Sequence, residues 1–171
     1  MYSRGELIVY GGTGVCVVQE IAIREVSGAE KEYYILKPLY QRCTITVPVD
    51  STKVFMRGII SKDEADEIID SLPDIEVEVF HDRGVRQLTE HYEERIKSHS
   101  CRELAALVMS IYEKRRATLA MNKKLGAVDE RYMRRTEDLL FGELAAALNI
   151  ERESVLAYIK NRIGTVIGAL D

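Results

Sequence analysis

The sequence predicts a two-domain α+β protein, with an SH3/Tudor-like small β-barrel over residues 1–57 followed by an all-α helical bundle over residues 58–171. Three observations predict it: apolar residues alternate with a period of two up to about residue 57, the period changes to 3.6 from Ser61 onward, and turn and capping residues fall at the joints. With 171 residues, 46% hydrophobic and 30% charged, the chain carries enough apolar material for two small cores without disulfide or metal staples.

The strands come first. A strand before the turn Gly11-Gly12-Thr13-Gly14 leads into Gly14 to Val26. There, strict alternation puts Val15, Val17, Ile21 and Ile23 on one face and Cys16, Val18, Glu20 and Arg24 on the other. Ser27-Gly28 turns the chain into a strand over Lys31 to Leu36. A further strand spans Cys43 to Val49, with Cys43, Ile45, Val47 and Val49 expected inward and Thr44 and Thr46 outward. About five short strands in under 60 residues, with no helix, are the pattern of a small barrel.

The helices follow. Ser61 and Glu64 form a capping-box pattern ahead of Ala65, Ile68, Ile69 and Leu72, and Pro73 ends that helix. Residues 74–84 read as an irregular connection. A second helix is expected from about Val85 to Lys97, with Val85, Leu88, Tyr92 and Ile96 on one face. Ser100 and Glu103 give a second capping box, opening a helix whose stripe is Leu104, Leu107, Val108, Ile111 and Tyr112. After a break near Gly126, a long helix carries Tyr132, Leu140, Leu144 and Leu148. The last helix starts near Arg152 and buries Val155, Leu156 and Ile159, and the tail from Gly164 to Asp171 is expected to fray.

Several function classes find no support. The N-terminus lacks the basic, apolar and small-residue regions of a signal peptide, and the apolar runs are too short to cross a bilayer, so a cytoplasmic protein without a membrane is expected. Cys16, Cys43 and Cys101 stand far apart and read as reduced thiols. His81, His91 and His99 lack the spacing that lets helical side chains share a metal. The glycine turn at 11–14 precedes a strand, whereas a phosphate-cradling loop opens a helix. Asp63, Glu64, Asp66, Glu67 and Asp70 read as a solvated face near a helix N-terminus. No cofactor, metal, small-molecule substrate or enzymatic activity is expected.

Charge is unevenly distributed. The net charge of −4 resolves into +1 over residues 1–60, −7 over 61–100 and +2 over 101–171. Within 114–135, Lys114, Arg115, Arg116, Lys123, Lys124, Arg131, Arg134 and Arg135 stand against Asp129 and Glu130. Lys114 to Arg116 are expected to end one helix and Arg131 to Arg135 to open the next, so the cluster converges around a hairpin tip. Two readings stay open: a surface that attracts phosphates, or a solvated turn with partial compensation of a helix dipole.

The stretches Gly5-Glu6-Leu7-Ile8-Val9-Tyr10, Gly28 to Lys37 and Thr44-Ile45-Thr46-Val47-Pro48, with Leu139-Leu140-Phe141-Gly142-Glu143-Leu144 further on, resemble the CarD/CdnL family of bacterial RNA-polymerase-binding transcription regulators. The resemblance runs over nearly the whole chain and is most specific at the N-terminus. It implies a Tudor-like polymerase-interaction domain, shared with transcription-repair coupling factors, that docks on the β subunit of RNA polymerase. It places Arg24, Thr46, Val47 and Pro48 at that contact. Arg24 matches a polymerase-contacting arginine, and Thr46 stands where some relatives carry another; an exposed strand residue is the other reading of Arg24.

The same resemblance implies that the helical half modulates promoter opening, a tryptophan wedging into the minor groove of promoter DNA. This chain has no tryptophan. Leu88 occupies the wedge position, and the alternative for it is the core of its own helix. Arg86, Leu88 and Tyr92, with Arg115, Arg116, Lys123, Lys124, Arg134 and Arg135, are therefore the candidates for DNA contact. Glu90, His91 and Glu93 fall where some relatives are basic. A polymerase-bound adaptor with little or no DNA contact is the competing expectation.

Overall fold

The computed structural model describes residues 1–164; the expected fraying of the C-terminal tail lies, from residue 165 on, outside the described residues. The chain divides into two compact units between Ile59 and Ile60.

The first unit is one antiparallel sheet of five strands: β1 (Leu7–Tyr10), β2 (Gly14–Val26), β3 (Ala29–Pro38), β4 (Ile45–Pro48) and β5 (Met56–Gly58), in the order β4-β3-β2-β1-β5. The expected barrel is corrected here: β4 and β5 stand at opposite edges and do not pair, so the sheet is open. Its hinges are glycines. Gly11 has φ of +45° and its amide donates to the Phe55 carbonyl at 2.8 Å, inside a 3-10 turn (Gly11–Thr13) that joins β1 to β2. Ser27 and Gly28 both have positive φ, the requirement of the tight two-residue turn that matches strand twist.

Strict alternation along β2 does not survive. Val18 pairs with Leu36 and Glu20 with Ile35, so Gln19 is an extra, unpaired residue, a β-bulge that reverses the phase of the strand. Before it Cys16 and Val18 enter the core; after it Ile21 does. Val17 stays outside that cluster, and Ile23, expected on one face with Val15, Val17 and Ile21, is exposed. The core comprises Ile8, Cys16, Val18, Tyr34, Leu36 and Val47, flanked by Tyr2, Tyr10, Ile21, Ile45, Val49 and Met56. Each fully buried aliphatic chain among them contributes about 1.5–3 kcal/mol. Cys43, expected inward, is exposed and precedes β4.

The second unit is helical: α1 (Lys62–Ser71), α2 (Val85–Ile96), α3 (Cys101–Ala120), α4 (Ala127–Leu148) and α5 (Val155–Ile163). The capping box at Ser61 and Glu64 forms in both directions. At the start of α3 only half of the expected second box exists: Ser100 Oγ accepts from the Glu103 amide, but the Glu103 carboxylate lies 3.2 Å from Arg95 Nε instead of returning to Ser100. The stripe of α2 begins at Leu88; Val85, expected on it, is 65% exposed. A 3-10 turn (Arg152–Ser154) leads into α5. The acidic face of α1 is not merely solvated: Tyr158 donates to Asp66, Arg162 binds Asp70 through two nitrogens, and Arg102 pairs with Glu67.

No described helix is long and apolar enough to cross a membrane, and the described residues hold no His/Cys/Asp/Glu group of metal-binding geometry. The three cysteines are free thiols.

Candidate functional site

The sequence-derived candidates fall on both units. In the sheet, the amide of Val49 donates to the Glu32 carbonyl at 3.0 Å, which fixes the phase of the β3–β4 ladder. Val47 and Ile45, two and four residues back, turn their backbone groups to β3, while those of Thr46 and Pro48 point away from the sheet. Proline has no N–H to offer and sits at such an outward position, as edge strands permit. The Pro48 carbonyl accepts from Ser51, leaving the N–H and C=O of Thr46, on the outer side of β4, without a backbone partner among the described residues.

Side chains sort by face. Cross-strand pairing aligns Ala22 with Tyr33 and Tyr33 with Pro48, and Glu20 with Ile35 and Ile35 with Thr46. Arg24, two residues beyond Ala22, therefore shares the outer face with Tyr33, Thr46 and Pro48. Its guanidinium lies 6.0 Å from the centroid of the Tyr33 ring, at the outer limit of a cation–π contact. Three of the four expected partner-binding residues thus share one surface. The fourth is corrected: Val47 is buried in the core and its backbone faces β3. Tyr33 belongs to the surface and was missed; it opposes Pro48 on the outer face, a signal readable only with the bulge in place.

In the helical unit two candidates are corrected. Leu88 is 8% exposed and Tyr92 1% exposed, both in the shared core of the helices, so neither side chain is presented as a wedge. Tyr92 is held by its hydroxyl, which donates to Asp129. Arg86 is exposed and pairs with Glu90 one turn on. Burial and the nearby charge of Arg95 hold His91 below its ordinary value, so at neutral pH it adds little positive charge.

The basic cluster is partly neutralised. Lys114 to Arg116 do not end α3, which continues one further turn to Ala120. Lys114 is spent inside, 2.9 Å from Asp129, with both side chains largely buried. Arg116 pairs with Glu113, Arg134 with Glu130 and Arg135 with Glu93. Burial raises the Glu93 carboxyl, but the hydrogen bonds from Tyr132 and Arg135 outweigh it and leave it below its ordinary value, hence charged. Glu93 lies outside the segment that looked basic and is brought to it by α2, whereas Glu113 directly precedes that segment on α3. Arg115, Lys123, Lys124 and Arg131 make no ion pair among the described residues, and Arg131 stacks over Tyr132 at 5.1 Å. What remains attractive to an anion is concentrated on the α3–α4 connection.

Residues 2–60 match the family model of the CarD-like/TRCF RID domain. The matched segment is the sheet unit, including β4 and Arg24.

Proposed function

We propose that this chain, whose N-terminal unit belongs to the CarD-like/TRCF RID domain family of RNA-polymerase-interacting transcription factors, docks that unit on the polymerase β subunit and modulates the stability of the open promoter complex through its helical unit. We read the open sheet as Tudor-like. The observation that carries the reading is the outer edge of β4, where the backbone of Thr46 has no protein partner among the described residues beside the Arg24–Tyr33–Pro48 surface. An edge of this kind gains a strand from a partner: main-chain hydrogen bonds supply affinity, and flanking side chains supply selectivity. The site of action is then the bacterial cytoplasm, and no catalytic step is involved.

The test is Thr46→Pro. The exchange removes one outward N–H and leaves the inward ladder intact, so the sheet should melt within a few degrees of the parent while capture of the β-subunit lobe falls at least about tenfold. Capture at the parental level would remove the β4 edge from the contact.

A second reading, a polymerase-bound adaptor with little DNA contact, is favoured by the burial of Leu88 and by the carboxylates that pair Arg116, Arg134 and Arg135. Promoter-complex lifetime with Arg134→Glu/Arg135→Glu divides the two, since only the first expects it to shorten.

A further inference from the structure

The connection between α1 and α2 contains a strand-like segment that no sheet receives. Ile75, Val77 and Val79 alternate with Glu76 and Glu78, the period and composition of a strand. No Gly, Pro, Asn, Asp or Ser, the usual residues of a turn, interrupts the run from 75 to 80. The backbone has neither turn nor bend over residues 75–82, and over residues 76–79 its amides and carbonyls have no protein partner among the described residues. Both ends are fixed. Ile75 and Phe80 pack against the core of the helices, and the Phe80 ring stacks on His91 with centroids 4.0 Å apart. Val77 and Val79 are not among the side chains packed there, and Val77 is 37% exposed. Anchored ends lower the ordering cost that a free loop would meet on binding, so the residues between them are pre-set to receive another strand.

Charge selects the occupant. Glu76 and Glu78 are exposed and make no ion pair among the described residues; Asp74 and Asp82 flank them, and Arg83 is the sole lysine or arginine within 74–83. A second copy of the chain is disfavoured: antiparallel pairing about Val77 sets Glu76 opposite Glu78 twice, and in-register parallel pairing sets each glutamate beside its own copy. The same carboxylates repel nucleic acid. We infer, extending the adaptor reading, that residues 76–79 form a strand-pairing site for an extended, lysine- or arginine-bearing segment of a partner protein. Main-chain hydrogen bonds supply the affinity and the two glutamates select basic side chains.

The full chain is titrated, by fluorescence anisotropy, with a labelled peptide of alternating lysine and valine about eight residues long. Saturation is expected below about 1 mM, and NMR should show slower amide exchange with water over residues 76–79 in the complex. The same peptide methylated on its backbone nitrogens keeps its charge but loses its donors, and should bind at least about tenfold more weakly. Glu76→Lys/Glu78→Lys should release the lysine peptide and take up one of alternating glutamate and valine. Val77→Pro/Glu78→Pro closes both edges of the segment and should lose binding at least about tenfold more than Val77→Ala/Glu78→Gln, which keeps both amides. Thermal melts of these variants should match the parent, since the three side chains are exposed. Equal binding of the plain and methylated peptides overturns the inference, because charge alone would then hold them. So do amides that exchange as fast as before, absence of binding at about 1 mM, or a dimer of the parent that Val77→Pro/Glu78→Pro dissolves. Capture of the β-subunit lobe should stay parental in every one of these variants, so failure here leaves the contact at β4 intact.

Discussion

Tyr92 on α2 donates its hydroxyl hydrogen to Asp129 on α4 at 2.5 Å, and Asp129 in turn pairs with Lys114 on α3 at 2.9 Å, so one carboxylate, 4% exposed, ties three helices. The neighbouring residues repeat the link in the opposite sense: Tyr132 on α4 donates to Glu93 on α2 at 2.8 Å, with Arg135 beside it. The two rings lie 5.0 Å apart between these contacts.

Removing the shared carboxylate should be costly, because it strands a largely buried ammonium. Asp129→Asn is expected to destabilise the helical unit by about 3 kcal/mol, and Tyr92→Phe by about 1.5–2 kcal/mol. Urea melts followed by far-UV circular dichroism give both values, and the double variant should fall short of their sum because the two groups are bonded to each other. Additive losses would mean that the two links act independently.

The same hydroxyls set an alkaline limit. Burial, then hydrogen bonding to Asp129 and Glu137, raises Tyr92 and Tyr112 well above their ordinary 10.0, and burial with Glu93 raises Tyr132. Above pH 10 the unfolded chain releases phenolic protons that the folded chain keeps, so stability present below that pH is lost as pH rises further. Urea midpoints should be level from about pH 8 and fall from about pH 10 upward, less steeply in Tyr92→Phe. A midpoint that is flat through pH 11 would contradict these partners.

Arg24→Glu reverses an exposed charge over Tyr33 and should leave sheet stability within about 0.5 kcal/mol of the parent. Capture of the β-subunit lobe should weaken at least about tenfold, as expected for an arginine at the centre of a contact. Surface plasmon resonance on the immobilised lobe reads both the loss and its rate component.

Gly11→Ala places a Cβ 2.7 Å from Val54 Cγ1 at a residue with φ of +45°. Strain and overlap together should destabilise the sheet unit by about 2–3 kcal/mol, a drop of about 8–20 °C in its Tm. Differential scanning calorimetry checks it; a shift below about 4 °C would show that the β1–β2 turn yields freely.

The order of strands and helices could be read from the sequence because alternation and the 3.6 period are local properties. The phase of β2 could not. Val15, Cys16, Val17 and Val18 are all apolar, so both faces look equally buried, and only pairing with β3 reveals that Gln19 is extra. The burial of Leu88 and the pairing of Arg116 with Glu113 were written in their own helices, whereas the neutralisation of Arg135 was not: Glu93 is 42 residues from Arg135, and α2 must pack on α4 before the pair exists.

The bulge at Gln19 divides β2 into two stretches of different burial. Before it, Val15, Cys16 and Val18 are buried; after it, Ile23 to Val26 and their partners on β3 form a ribbon whose side chains stand almost wholly in water. Substitutions on that ribbon therefore change the surface that Arg24 presents while leaving the packed interior, and with it the melting behaviour of the sheet, as it was.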